Sequence, residues 1–434
     1  MTKYVKSKEA LPAELHMWDP RPTQTALYQT KILDIPPLTS IESSDTVPFI
    51  IPAIPKGMLE SVEIVTELRV LKADGSDLDA NTSVSTAPHL AAVLWKNVLV
   101  EIGGQNLTQN YDDCYQLFKF FDTIVHHRQG TAAALEIKEG LVLDTVDTKA
   151  KSEDVNYFPT AAAGAEAPEV VNLGAKKRAE RIQGKKVCLV SDLDVPIFKQ
   201  EKFLPCNLEI NVQLTKSPTK HILLAAATDT SKISIDKLVL RCQFKFPTEV
   251  VYNILEERLA RENAIFHADK HILTYRPIPA EVKSVTFDNL FTGPLPYFFY
   301  IGVQTRGKAL TSNPFSLHPI NRIQLYVNGQ QHFPEDIEST KDSSYMFSAF
   351  SNECGRINGG DMLIASRYST YPLFGFDLTQ DKSQNQHGLN LQNSGNVRLS
   401  LGFEKETKAT QVLMVLAKYE QVVEITKDRE VILV

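Results

Sequence analysis

The sequence predicts an all-β fold: two tandem eight-stranded jelly-roll sandwiches, a double jelly roll, with a few short helices. Three observations carry this. Apolar residues alternate with period two in runs spread along the chain, Gly- and Asn-rich tight turns separate those runs, and one pair of motifs occurs twice in the same order. The length of 434 residues suggests three domains at about 150 residues each, but all-β domains extend to about 200–250 residues, which fits two. An apolar fraction of 43% is enough for each half to bury a core.

The strands come first. Val62, Ile64, Thr66, Leu68 and Val70 alternate with Glu63, Val65, Glu67 and Arg69, which places one row on a core and the other outward. The pattern recurs at Val98/Val100/Ile102, Leu208/Ile210/Val212/Leu214 and Leu238/Leu240/Cys242/Phe244/Phe246. In the second half it returns at Ile323/Leu325/Val327 and Val397/Leu399/Leu401/Phe403. Gly103-Gly104, Asn328-Gly329 and Ser394-Gly395-Asn396 supply turns between such runs.

Helical signals are few. Tyr111 to Val125 follows a helix-opening pattern, with Asp112-Asp113 at its start and Tyr115, Phe118 and Ile124 as an aromatic and apolar face. Ser343 to Phe350 resembles it. Glu249 to Glu262 spaces Val251, Leu255 and Leu259 by four among charged residues and reads as a solvated amphipathic connector near mid-chain.

The repeat sets the domain organisation. Val100-Glu101-Ile102-Gly103-Gly104-Gln105 precedes the aromatic stretch from Tyr115, and Leu325-Tyr326-Val327-Asn328-Gly329-Gln330 precedes the stretch from Tyr345. Further on, Pro196-Ile197-Phe198 leads to the strand ending at Leu214, and Pro372-Leu373-Phe374 leads to the strand ending at Phe403. The first half is longer between its two motifs, and the extra residues fall at 149–186, a strand-poor stretch containing Thr160 to Pro168 that suits a mobile exposed loop. The expected division is an N-terminal arm at 1–21 and a first jelly roll at 22–247 with a mobile insertion near 149–186. A helical connector follows at 248–268, then a second jelly roll at 269–434.

A net charge of −6 argues against a surface devoted to nucleic acid. Cys114, Cys188, Cys206, Cys242 and Cys354 are odd in number and scattered, so neither a disulfide framework nor a zinc site is expected, and reduced thiols packed as small apolar residues are. The N-terminus lacks the apolar core of a secretory signal, and no run of 18 apolar residues is present to span a bilayer. The sequons at Asn81-Thr82-Ser83 and Asn106-Leu107-Thr108 read as chance matches in that setting.

No catalytic, cofactor-binding or metal-ligating residues are assigned, and no cofactor is expected. His126-His127 are adjacent, and neighbouring side chains on a helix diverge by about 100°, which suits surface histidines better than a ligand pair. No phosphate-cradling Gly-rich motif occurs, and Gly359-Gly360-Asp361 reads as a turn. The adjacent acidic pairs Asp112-Asp113 and Glu256-Glu257 read as solvated. The basic run Lys176-Lys177-Arg178, Arg181 and Lys185-Lys186 could touch phosphates non-specifically, but a solvated loop is the favoured reading.

With these residues in place, the chain resembles the double-jelly-roll major capsid proteins of the Polinton (Maverick) and adintovirus-like group of double-stranded DNA viruses. The resemblance lies in an ordered series: Asn289 to Pro296, Asn313-Pro314-Phe315, Leu325 to Gln331, Leu373 to Thr379, Gly395 to Leu399, and Val422 to Ile425. In the first half it rests on Pro22 to Thr25, Lys176-Lys177-Arg178, Phe198 to Leu204, and the strand to Ser217. It implies a non-enzymatic major capsid protein that forms a homotrimeric, pseudo-hexameric capsomer and tiles an icosahedral shell. Implied partners are neighbouring capsomers, a single-jelly-roll penton protein, minor capsid proteins and possible non-specific contact with packaged DNA, with no small-molecule substrate. The implied location is the virion capsid, assembled in host cytoplasm or nucleus. Two alternatives come from other classes: a jelly-roll carbohydrate-binding or attachment protein, and an enzyme on a cupin-like sandwich. Only Trp18 and Trp95 occur as tryptophans, neither in a sugar-binding cluster, and no His-rich metal spacing supports a cupin.

Overall fold

In the computed structural model the described residues are 23–42, 44–79, 84–108, 114–126, 132–144, 172–225, 229–291, 293–305, 315, 317–333, 337–338, 353, 372–385 and 388–433. The expected N-terminal arm, the insertion as far as 171, the helix at 343–350, His127 and Cys354 lie outside them.

Eight strands of the first half occupy Leu27–Ile35, Thr46–Ile51, Met58–Leu71, Trp95–Ile102, Gln105–Asn106, Val187–Asp192, Ile210–Lys216 and Lys232–Pro247. Counted in that order, they form one sheet of the first, eighth, third and sixth strands and another of the second, seventh, fourth and fifth. The corresponding strands of the second half are Lys270–Ile278, Ser284–Phe287, Phe298–Thr305, Arg322–Val327, Gln330–Gln331, Phe374–Asp377, Val397–Gly402 and Gln411–Tyr419. They pair in the same two orders, with Ile337–Glu338 added beside the fourth strand. Every pairing among them is antiparallel, and the strand order is that of the predicted jelly roll, twice.

The alternation read from sequence matches the burial except at Val65, which was expected in the outward row and is only 4% exposed. Val62, Ile64, Thr66, Leu68 and Val70 point into the first core, while Glu63, Glu67 and Arg69 face outward and pair with Lys138, Lys186 and Asp236. The repeated hairpin is the same turn in both halves. Gly103 and Gly104 have φ of 56° and 77°, and Asn328 and Gly329 have 51° and 79°, the paired positive values of a two-residue turn that matches strand twist.

Two central strands of the second half carry no alternation, and the structure shows why. Along Gln411–Tyr419, Leu413, Val415 and Ala417 enter the second core, whereas Met414 and Leu416 enter a cluster shared with the first half. Phe298 and Tyr300 likewise face the first half, and Phe299, Ile301 and Val303 face the second core. A sheet covered on both faces needs apolar residues in both registers.

The cover is the helix Cys114–His126, part of the crossover between the fifth and sixth strands of the first half. All its residues from Cys114 to Val125 are buried except half-buried Asp122, so it is a core helix rather than a surface one. The connector helix Glu249–Leu259 is solvated as expected: Val250, Ile254 and Leu255 are exposed and only Leu259 is buried. It leads into the strand Ala264–His267, which joins Val422–Ile425 and Val431–Leu433 in a small three-stranded sheet.

Two expectations are corrected. The basic end of the 149–186 stretch is not loop: Asn172 caps a helix, Leu173–Ile182, by accepting from the Ala175 N–H at 3.1 Å, and Arg178 is only 2% exposed. Its Ala175, Ala179 and Ile182, spaced by four and three, form a buried stripe. Cys188 is exposed on the sixth strand, unlike buried Cys114, Cys206 and Cys242.

Candidate functional site

Chemistry concentrates at the seam between the halves, built on the helix Cys114–His126. Its aromatic face docks on the second half: Phe120 stacks on Phe315 with centroids 3.9 Å apart, Phe118 on His271 at 4.1 Å, and Phe121 meets Tyr300 edge-on at 6.2 Å. Asp122, the one half-buried residue, accepts from the Tyr300 hydroxyl at 2.5 Å and from Lys418 Nζ at 2.6 Å. The Lys418 ammonium also lies 5.3 Å from the Tyr300 ring centroid and 5.7 Å from that of Phe298. A small cavity of about 180 Å³ opens beside these groups, between Lys119, Asp194 and Lys199 on one side and Asp269 and His271 on the other.

Behind the aromatic face lies a buried ionic network. Lys119 Nζ sits 2.9 Å from Asp194 and 3.6 Å from Glu139, and donates to Ser191 Oγ and the Asp192 carbonyl. Glu139 also meets His89 Nε2 at 2.9 Å. Burial opposes each of these charges. Even so, Asp194, with Tyr115 and Glu139, raises the Lys119 pKa above its ordinary value. Glu139 is lowered to about 2: burial works against its charge, but Lys119 and His89 outweigh it. His271 is lowered to about 3, first by burial and then by the Lys418 charge, so it stands neutral against Phe118. Asp269 is raised by burial, and it accepts a hydrogen bond from the Tyr297 hydroxyl at 2.6 Å.

Arg178 closes a second buried set. It donates to the carbonyls of Thr86 and Val142 and pairs with Asp144, each at 2.6 Å, while Asn172 Nδ2 donates to the same carboxylate at 2.8 Å. In the second half Glu353 accepts from the Asp377 N–H at 2.8 Å and lies 3.1 Å from both Lys382 and His332. In these sets opposite charges are matched at short range, an arrangement that locks elements in register.

The residues weighed from sequence do not converge. His126 ends the core helix, and Glu256 accepts from Arg429 at 2.7 Å instead of being wholly solvated. Part of the basic run makes contacts within the chain: Lys177 pairs with Glu136 at 2.6 Å, Arg181 donates to the Glu136 and Ile137 carbonyls, and Lys186 pairs with Glu67 at 2.6 Å, while all four lysines stay exposed. Asp112-Asp113 and Gly359-Gly360-Asp361 lie outside the described residues. Among the described residues no group of three or more His, Cys, Asp or Glu is arranged to hold a metal ion, and no helix is long and apolar enough to cross a membrane. Lys119 went unread because a lone basic residue gives no sign that it is buried, and Arg178 was read only as part of a solvated basic run. The one available signal was the alanine and isoleucine stripe around Arg178.

No family model and no curated protein matches the sequence. Solved structures do resemble the fold. The Sputnik virophage structure from cryo-EM superposes with a TM-score of 0.62 at 12% identity, over 99% of this chain and 93% of that one. The Faustovirus major capsid protein gives 0.59 at 10% identity, over 94% and 92% of the two chains. The mavirus major capsid protein gives 0.56 at 10% identity, over 100% and 96%. The fold is a double jelly roll. At such low identities the likeness is one of architecture, and it extends over nearly the full length of each neighbour's chain.

Proposed function

We propose that this chain is the major capsid protein of a double-stranded DNA virus or virus-like element of the Polinton and adintovirus-like group, with a structural rather than catalytic role. The observation that carries this reading is the doubled strand order within one chain, locked at a buried seam. Three such chains supply six similar sandwich walls, enough for a homotrimeric, pseudo-hexameric tile of an icosahedral shell. In this reading 22–247 and 269–434 are the two wall units, with 248–268 between them. Neighbouring tiles, a single-jelly-roll penton protein and minor capsid proteins are the partners. The virion capsid is the location, with assembly in host cytoplasm or nucleus. Loops at the sandwich ends can vary without disturbing the cores, and many weak contacts between tiles can hold a closed shell. Any contact with packaged DNA is non-specific, and none of it is assigned to Arg178, which is buried and paired with Asp144.

Size-exclusion chromatography with light scattering, followed by negative-stain microscopy, tests the proposal. A stable trimer of hexagonal outline is expected. A monomer that binds a glycan array would replace this reading with the carbohydrate-binding one.

A further inference from the structure

His271 joins the two halves of the seam. Its ring lies 4.1 Å from that of Phe118, with an interplanar angle of 11°, and it borders the cavity of about 180 Å³ between the halves. In the antiparallel pair of strands Lys270–Ile278 and Gln411–Tyr419 it stands directly opposite Lys418. Lys418 in turn holds Asp122 of the helix at 2.6 Å, and the Tyr300 hydroxyl donates to the same carboxylate. A ring stack and an ion pair that both cross the seam therefore meet at one cross-strand position.

A proton on His271 finds little compensation there. From its own sheet it faces the Lys418 ammonium, and like charges directly opposite on paired strands repel. From the helix it faces Lys119 and Asp122, the latter already bonded to Lys418 and Tyr300. From the segment after the sixth strand it faces Lys199 and Asp194, a carboxylate shared between Lys119 at 2.9 Å and Lys199 at 3.0 Å. His267 and Asp269 precede its own strand, and Asp269 accepts from the Tyr297 hydroxyl. The Cys114 thiol and the Tyr115 hydroxyl border it from the start of the helix. Each nearby carboxylate already has another donor. The Phe118 ring face can hold an imidazolium as well as an imidazole, so the opposition to charge comes from burial first and then from Lys418 and Lys199.

We infer that His271 is an acid-sensitive latch between the two jelly rolls: once protonated it leaves Phe118, turns into the seam cavity and loosens the start of the helix Cys114–His126 from the second roll. The cavity far exceeds the roughly 10–15 Å³ that one water needs, so the charged ring can be hydrated there without parting the apolar seam. Phe120 on Phe315 and Phe121 against Tyr300 stay in place and keep the rolls joined. His271 has a folded pKa of about 3 against 6.5 when solvated. Lowering the pH from about 7.5 to about 5 therefore favours the open latch by up to about 30-fold. Asp269, raised by burial, takes its proton more readily in the closed seam and opposes opening at the acid end of that range. The latch is a property of the seam and holds whether or not the chain builds a capsid.

Cys114 reports on the latch. It is the first residue of the helix, is only 6% exposed, and borders a small space shared with Phe118 and His271. Exposed Cys188 and fully buried Cys242 of the first core serve as references in the same chain. The full-length protein is labelled with an aromatic disulfide that reacts in mild acid, and each cysteine is scored by peptide mass mapping. Between about pH 7.5 and about pH 5, the Cys114 rate relative to Cys188 should rise about tenfold or more, with Cys114 always labelled ahead of Cys242. His271→Phe, which keeps a ring on Phe118 but takes no proton, should leave that ratio flat with unchanged circular dichroism. A smaller rise in the parent would overturn the inference, as would a His271→Phe profile that follows the parent's. Equal rates at Cys114 and Cys242 would also overturn it, since the exposure would then come from unfolding of the whole chain.

Discussion

The two hairpin turns at Gly103-Gly104 and Asn328-Gly329 occupy the same place in the two jelly rolls, with nearly the same backbone angles, yet they differ at the first turn residue. Asn is well suited to that left-handed position, and in the second half the Asn328 side chain accepts from the Asn396 N–H at 2.9 Å. In the first half a Cβ at Gly103 would lie 2.8 Å from the Arg429 carbonyl oxygen, because the C-terminal segment crosses the turn. Local geometry chose the turn in both halves, and a segment from the other end of the chain chose the residue. The same contrast holds at larger scale. The first roll carries a helical crossover with buried charges, and the second presents to it a sheet that is apolar on both faces.

The largest break in this comparison is expected at the buried charges. Lys119→Ala leaves Asp194 and Glu139 without their shared ammonium, and Arg178→Ala removes the guanidinium from Asp144, which keeps the Asn172 amide, and from two carbonyls. Each should cost about 3–5 kcal/mol in denaturant unfolding, since a buried charge then loses its partner. An unchanged midpoint for either would mean that the network is more hydrated than its geometry implies.

Turn exchange comes next. Gly103→Asn should destabilise by about 1–3 kcal/mol, the usual cost of overpacking, although Asn is favoured by the turn itself. Asn328→Gly should lose about 0.5–1.5 kcal/mol through one hydrogen bond. Equal effects from the two exchanges, read by thermal melts, would show that the C-terminal crossing does not constrain Gly103.

Acid titration separates the two sides of the seam. His271 has a folded pKa of about 3 against 6.5 for the free group, so the unfolded chain binds its proton first and stability falls as pH drops below about 6.5. Glu139, at about 2 against 4.5, contributes stability above 4.5 that is lost only as pH falls from there toward 2. Asp269, raised above 3.8, acts in the opposite sense: its contribution is present at low pH and lost as pH rises through its folded pKa. His271→Phe, which keeps a ring to stack on Phe118, should flatten the stability curve between about pH 6.5 and 4.5. A slope identical to the parent's would remove His271 from the account.

The smallest effect is expected on the connector. Val250→Ser, at 68% exposure, should change stability by no more than about 0.5 kcal/mol. A larger loss would reveal that this face of the helix is covered.

Much of the fold was legible because a strand with one wet face writes its burial into alternation, as Val62 to Val70 does, and because the hairpin recurs with its own turn chemistry. The strands Phe298–Thr305 and Gln411–Tyr419 escaped that reading: both their faces are covered, and a continuous apolar run has no register to report. In the basic stretch the four lysines are solvated as expected, but Arg178 is not: composition weighs charge without knowing its partner, and Asp144 lies far from Arg178 along the chain.

By itself, then, the sequence determined the all-β class, the doubling of the unit and the repeated hairpin, since each of these follows from local periodicity, motif order and turn preference. Only the tertiary structure decided which face of which sheet meets the helix Cys114–His126, which lysine and arginine are buried, and why Gly103 has no side chain. Those outcomes depend on groups distant in sequence arriving within a few ångströms of one another, where desolvation and close packing act, and no local pattern encodes that arrival.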